Sequence, residues 1–258
     1  MGPDIVHSVV INGISVEASY SQRTVNGIFL PLLHGLSQMQ RDKGRRILIM
    51  LAAPPGAGKS TLLSFLEKMA REHDGISPIQ TIGIDGFHRR QEYLRNHFTE
   101  KDGKKISLVE IKGAPITFDL PRLRDRIRMV AAGENCRWPV YDRMLHNPVE
   151  DALEVSSSIV LLEGNYLLLQ EDGWQELKQY ADYTVSIRAE EALLRERLIQ
   201  RRIQTGVEEK SAVRFVDFSD MANVRLCLQK SGPADLELAL DQDGEYQKLR
   251  WRGFKKIS

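Results

Sequence analysis

The chain has 258 residues, 42% of them hydrophobic, with 36 Lys+Arg against 35 Asp+Glu and a formal net charge of +1. That length suits one α/β domain with additions or two small domains, and the apolar content is enough for a full core, which excludes a disordered chain. Near-neutrality excludes a general attraction for nucleic acid or acidic membranes, so any anion has to be bound at a local site.

Residues 5–18 alternate apolar and polar around Asn12-Gly13, a pair that supplies the positive φ angles of a tight turn, and predict two short strands. Residues 24–42 carry Ile28, Leu32, Leu36 and Met39 on one stripe and predict a helix. This stretch, 1–44, reads as an N-terminal addition packed on a domain that spans 45–258. No apolar run approaches the ~18 residues of a membrane span, and the basic-then-apolar plan of a signal peptide is not seen. Gly2 suggests a myristoylation signal, but Val6 stands where Ser or Thr is needed. Cys136 and Cys227 have no metal-ligand neighbours and read as small buried residues in a reducing, cytoplasmic setting.

From Ile47 the pattern alternates strand and helix, which predicts an α/β fold with a central parallel sheet covered on both faces. Ile47–Ala52 is a continuous apolar run, as in a buried central strand, and a helix follows over Ser60–Glu72. Residues 79–84 predict a strand ending at Asp85. The Lys- and Gly-rich stretch 101–116 reads as a mobile loop. Asp119 as N-cap and Pro121 in the first turn open a helix that stops near Gly133. Ile159–Leu162 predicts a strand ending at Glu163, and Tyr183–Ile187 another, followed by an Arg-rich helix over 189–203. Residues 235–247 predict a last strand with a turn at Asp243-Gly244.

Residues 53–60 read APPGAGKS, with Thr61 next. Gly58, Lys59 and Ser60 fit the phosphate-binding pattern G-x-x-x-x-G-K-[ST], while Ala53 takes the place of its first glycine. Glycines let successive N–H groups surround phosphate oxygens, and the following helix N-terminus adds partial positive charge. Pro55, Gly56, Ala57, Gly58, Lys59, Ser60 and Thr61 are therefore the candidate nucleotide contacts. Lys59 should reach the outer phosphates and Ser60 a Mg²⁺ ion. Ala53 matters only where positive φ or extra room is required, so tolerance is expected.

Asp85 and Glu163 each end an apolar strand, on the side of an open parallel sheet where ligands sit. One would hold the metal or its waters, and the other would deprotonate an attacking hydroxyl. An acid at a strand end also reads as a helix cap or a lysine partner.

Four further strings, DGFHRRQEYL at 85–94, KGAPITFD at 112–119, PVYDRMLHNP at 139–148 and EGNYLLL at 163–169, sharpen this reading. With the cradle they resemble the P-loop kinases that include uridine kinase, phosphoribulokinase and bacterial pantothenate kinase. Within that branch the chain is most similar to bacterial nucleoside/nucleotide kinase family proteins, the fructose-transport-system kinase-like group among them. The resemblance covers about 47–225 and implies a three-layer P-loop NTPase sandwich with a five-stranded parallel core, an Arg-bearing lid at about 189–215, ATP with Mg²⁺, and a hydroxylated small-molecule acceptor. It further implies Asp85 as base, Glu163 beside the cradle, and Tyr141 and His146 at the acceptor. The lid arginines are Arg195, Arg197, Arg201 and Arg202, with Arg197 and Arg201 taken as catalytic, and Asn223 in SDMANV approaches the adenine. His88, Lys112 and Arg143 complete the candidate acceptor contacts.

His88, Tyr141 and His146 are equally readable as structural hydrogen-bonding groups, and spaced arginines as a solvated helix face. The tail at 248–256, KLRWRGFKK, mixes basic and aromatic residues but reads as a charged edge strand rather than a nucleic-acid site. The expected activity is transfer of the ATP γ-phosphate to a hydroxyl of a nucleoside, pantothenate-like compound, sugar or sugar phosphate. The alternatives are an ATPase that drives a partner and a nucleotide-binding regulatory module. Neither nucleic acid nor membrane is expected as a partner, and a homodimer is left open.

Overall fold

The computed structural model describes residues 2–11, 13–101 and 103–254. β1 (Ile5–Ile11) and β2 (Ile14–Tyr20) pair antiparallel as the alternation requires. Of the expected turn pair, Asn12 lies outside the described residues, and Gly13 has a φ of 81°. Ser21 then caps α1 (Gln22–Thr24), which runs through a π-helical stretch, Val25–Phe29, into α2 (Leu30–Lys43). The stripe of Ile28, Leu32 and Leu36 is buried, with Met39 packed at its edge.

β3 (Ile47–Ala52) is buried at every position. It is followed by α3 (Lys59–Glu72), β4 (Ile79–Gly83), a 3-10 turn at Ile84–Phe87 and the short α4 (Gln91–Asn96). β5 (Phe98–Lys101) and β6 (Lys104–Ser107) form a hairpin, and α5 (Leu120–Ala131) starts at its Asp119 cap. β7 (Cys136–Asp142) and β8 (Asn147–Val155) form a second hairpin whose register shifts between Trp138 and Val140, at Pro139, which has no amide to donate. β9 (Ile159–Gly164), β10 (Tyr183–Ala189), α6 (Glu191–Gln204), α7 (Glu209–Phe215), α8 (Met221–Lys230), β11 (Leu236–Leu240) and β12 (Tyr246–Trp251) complete the chain.

Among the described residues the main sheet has six strands in the order β12-β11-β10-β3-β9-β4. The five from β4 to β11 are parallel, as the resemblance implies, and β12 runs antiparallel along the edge with exposed Gln247, Lys248, Leu249 and Arg250. The chain leaves β3 for β4, returns to β9 between them, and then crosses to β10 on the other side of β3. Such a reversal opens a crevice beyond the carboxyl ends of the strands.

Alternate residues of β3 feed two hydrophobic layers. Ile47, Ile49 and Leu51 meet Leu36, Phe65 and Leu198 on one face; Leu48 and Met50 meet Ile127, Trp138 and Tyr166 on the other. Each such side chain, fully buried, contributes about 1.5–3 kcal/mol. The N-terminal hairpin shares the first layer: Tyr20 stacks on Phe65 at 4.3 Å, and His7 Nε2 lies 3.1 Å from Ser64 Oγ on α3. No helix among the described residues is long and apolar enough to cross a membrane.

The stretch 101–116 differs from the mobile loop expected of it. Ser107 and Glu110 form a reciprocal cap on a 3-10 turn, Leu108–Ile111, and Leu108 and Ile111 pack on Leu94 in a small third cluster. Its lysines point attention to solvent, but its apolar residues find a partner on α4, which local composition does not disclose.

Candidate active site

The turn at 53–58 joins β3 to α3. Gly56 and Gly58 have φ of 85° and 79°, the left-handed region that suits glycine. A side chain at Gly56 would also lie 3.0 Å from the carbonyl oxygen of Leu194, because α6 crosses directly over the turn. Ala53 has no positive φ and is 3% exposed, packed in the core below the turn, so glycine is not required there. No side chain caps α3, whose N-cap is Gly58. Its first amides are thus left for an anion, in the positive field of the helix end. Ala57 and Thr61 are buried beneath this turn and Pro55 is half-buried.

Lys59 and Ser60 leave the first turn of α3 toward β9. Lys59 Nζ donates to the carbonyl oxygens of Ala53 and Pro54 at 3.0 and 3.1 Å and to Asn165 Oδ1 at 2.6 Å. Ser60 Oγ donates to Glu163 Oε1 at 2.6 Å. Register places Glu163 opposite Leu51 of β3 and Gly83 of β4, so it stands between the cradle and the end of β4. Burial pushes the Glu163 carboxyl up, opposed by the charge of Lys59 and the Ser60 hydrogen bond. Burial also pulls Lys59 down, opposed chiefly by Glu163. Each charge therefore supports the other. The paired oxygens of Ser60 and Glu163 are a hard donor set that fits Mg²⁺, an ion that takes one or two protein ligands beside phosphates and waters.

Asp85 lies two residues past β4, exposed in the 3-10 turn. The turn is held at two points by β7. The Trp138 indole donates to the Gly83 carbonyl at 2.8 Å, and a Cβ on Gly86 would lie 2.0 Å from the Pro139 oxygen. The β7–β8 hairpin thus rests on the turn that presents Asp85, and it brings Arg143 Nη2 to 3.9 Å from Asp85 Oδ2. His88 Nδ1 lies 2.9 Å from the Asp85 carbonyl oxygen, and its ring packs on Phe118 and Tyr141 at 3.9 and 5.5 Å between centroids. Burial pulls His88 down, so it is neutral near pH 7.

Lys112 Nζ donates to Gln91 Oε1 (2.9 Å), Tyr141 Oη (2.5 Å) and the His146 carbonyl oxygen (3.0 Å). The contact of His146 is thus through its main chain, in a left-handed conformation with φ of 50°, while its ring is exposed. Tyr166 Oη donates to the Gly113 carbonyl at 2.6 Å and holds the Lys112 loop against the sheet.

The lid arginines divide. Arg195 pairs with Asp217 at 2.7 Å, and Arg202 pairs with Asp220 at 3.0 Å and lies 3.7 Å over the Phe215 ring, so both tie α6 to the segment that follows α7. Arg201 is exposed, and its charge acts on Lys59 while it feels Arg143 and Asp85. Arg197 is half-buried, and its charge acts on Tyr20 and Tyr246 of the layer under the N-terminal hairpin. Asn223, expected at the adenine, is buried with its amide nitrogen 3.5 Å from where a Cβ on Gly113 would sit, on the side of the Lys112 loop.

Two contributors escaped the sequence reading. Asn165, two residues past Glu163, fixes Lys59 through its side chain and receives the Cys227 thiol on its carbonyl at 3.3 Å. Its signal was a lone amide inside the apolar EGNYLLL run. Gln91 holds Lys112, and nothing in its local sequence announces this.

The Phosphoribulokinase / Uridine kinase family model matches residues 48–223. Protein YggC of Escherichia coli K12 is 39% identical over 92% of this chain and 97% of its own. A Schizosaccharomyces pombe protein, named provisionally as a uridine kinase, is 30% identical over 70% of this chain and 77% of its own. The crystal structure of a Silicibacter sp. TM1040 protein, named provisionally as a fructose transport system kinase, superposes with a TM-score of 0.66 at 29% identity. It covers 78% of this chain and 98% of that one. With cradle, paired acid and strand-end aspartate in one crevice, the chain belongs to the phosphoribulokinase/uridine kinase family of ATP-dependent small-molecule kinases.

Proposed function

We propose that the protein transfers the γ-phosphate of ATP directly to a hydroxyl of a small metabolite, with Asp85 as the base. The observation that carries this reading is the convergence of Lys59, the Ser60–Glu163 pair and Asp85 at the ends of three neighbouring strands. The amides of 54–61 and Lys59 bind the β- and γ-phosphates. Ser60 and Glu163 would hold Mg²⁺, which would supply charge neutralisation at the phosphates. Asp85 accepts the proton of the acceptor hydroxyl as its oxygen bonds to the γ-phosphorus. The bond from that phosphorus to the bridging oxygen breaks, and ADP leaves with the electron pair. Arg201, whose charge is felt at Lys59 and which itself feels Asp85, supplies positive charge to the phosphoryl group in flight.

His88, Lys112, Tyr141 and Arg143 line the acceptor side. The test is an acceptor panel with ATP, scored for ADP release and for phosphorylated product, on the wild type and on Asp85→Asn. Product formation that needs Asp85 supports the reading. ADP release that is indifferent to every acceptor favours an ATPase, and nucleotide binding without turnover favours a regulatory module.

A further inference from the structure

The acceptor side holds more positive charge than the fold neutralises. Lys112 spends its donors on an amide, a phenol and a carbonyl, all uncharged. Among the described residues it has no carboxylate partner, and neither does Arg95, one helical turn beyond Gln91 on α4. Arg143 reaches only Asp85, at 3.9 Å, too far for a hydrogen bond. Some arginines elsewhere pair closely, Arg124 with Glu176, Arg195 with Asp217 and Arg225 with Glu191 all within 3.0 Å, so a cation that can be neutralised by the fold here often is. Lys112 is half-buried while Arg95 and Arg143 are exposed beside it, and like charges that act on one another in this way repel unless an anion joins them.

We infer that the phosphate acceptor carries an anionic group, a carboxylate or a phosphate monoester, held by Lys112, Arg143 and the Tyr141 hydroxyl. The inference rests on the kinase reading above and adds the charge class of the acceptor. Tyr141 accepts from Lys112, so its own O–H stays available to donate. Arg143 offers a planar fork that suits either anion. Lys112 is held by neutral groups in a fixed position, with Arg95 adding positive field behind it. The pull on its charge is visible: burial first, then Arg143 and Arg95, bring its ammonium down to about 8. An anion bound there stands across from Asp85, which leaves the acceptor hydroxyl facing the base and the cradle.

The test has two arms. In the first, acceptors that differ only in charge are compared as substrates: pentoses and hexoses with their terminal phosphates, sugar alcohols with the matching aldonic acids, and nucleosides with their 5′-monophosphates. The anionic member should have a KM lower by about tenfold or more, and Lys112→Gln or Arg143→Gln should each raise that KM about tenfold, with a smaller change in kcat. The exposed-helix control Arg128→Gln, which removes the same charge elsewhere, should leave KM unchanged.

In the second arm the wild type is saturated with Mg²⁺ and a non-hydrolysable ATP analogue, which fills the cradle. Methyl phosphate and acetate are then titrated by calorimetry. Saturable binding of either probe that is lost in the Lys112→Gln, Arg143→Gln double variant supports the subsite, and the stronger probe identifies phosphate or carboxylate. Absence of binding to both probes overturns it, as does a neutral acceptor used as well as its anionic partner. If the probes bind as expected and no acceptor of either charge is phosphorylated, the kinase reading fails and the anion site stands. Thermal melts of each variant separate lost binding from lost folding.

Discussion

The two walls of the crevice are made in different ways. The nucleotide wall is continuous in sequence: strand, Gly-rich turn and helix occupy 47–72, and its partners Glu163 and Asn165 come from the adjacent strand. The acceptor wall is assembled from three distant segments, with Asp85 and Gln91 from one, Lys112 from another, and Tyr141 and Arg143 from a hairpin. In the proposed mechanism the first works through main-chain amides, and Ala53, without positive φ, does not disturb them. The second, in the same proposal, works through side chains and depends on how its segments pack. A cradle of this kind can serve many acceptors while the other wall changes around it.

This division is broken most directly by Asp85→Asn. It should lower kcat about 10³-fold while ATP affinity, read by calorimetry, stays as in the wild type. A parallel loss of ATP binding would merge the two walls into one functional unit. Lys59→Ala should do the reverse, weakening ATP binding and lowering turnover by on the order of 10²–10³-fold, since it removes a positioned charge at the phosphates. Intact turnover would remove Lys59 from the cradle.

Gly86→Ala sharpens the comparison by asking what the acceptor wall needs for its shape. Its methyl would meet the Pro139 backbone at 2.0 Å, so the hairpin has to move. A loss of about 2 kcal/mol in urea unfolding is expected, with acceptor KM raised and ATP affinity kept. The mildest test is pH. Lys112 is charged below about 8, so the KM for an anionic acceptor should rise about tenfold per unit above that pH and stay flat for a neutral one. The groups facing Lys112 do not share this window. Burial pulls His88 down and pushes Tyr141 up to about 12, and a guanidinium keeps its charge throughout.

The same contrast explains what the sequence disclosed. The cradle was legible because its chemistry is local backbone geometry, announced by glycines at fixed spacing. The strand-end acids followed from hydrophobic runs that stop at a charge. The hairpin at 136–155 was noticed only as a string of suggestive residues, because Pro139 and the polar turn at 142–147 obscure strand alternation. The built character of 101–116 was hidden for a related reason. Its order comes from Leu94 on α4 and Tyr166 after β9, contacts that no local pattern encodes. Arg197 and Arg201 sit one helical turn apart with the same local sequence character, and only the folded arrangement distinguishes the first, acting on Tyr246, from the second, acting on Lys59.

Trp138 gives the acceptor wall a built-in optical signal. Its indole is 1% exposed, stands edge-on to Phe87 at 4.9 Å and donates to the main chain just before Asp85. With Trp174 and Trp251 replaced by Phe, its emission would follow movement of the aspartate-bearing turn in real time. Stopped-flow mixing could then distinguish arrival of the acceptor from arrival of the nucleotide without labels or a coupled enzyme.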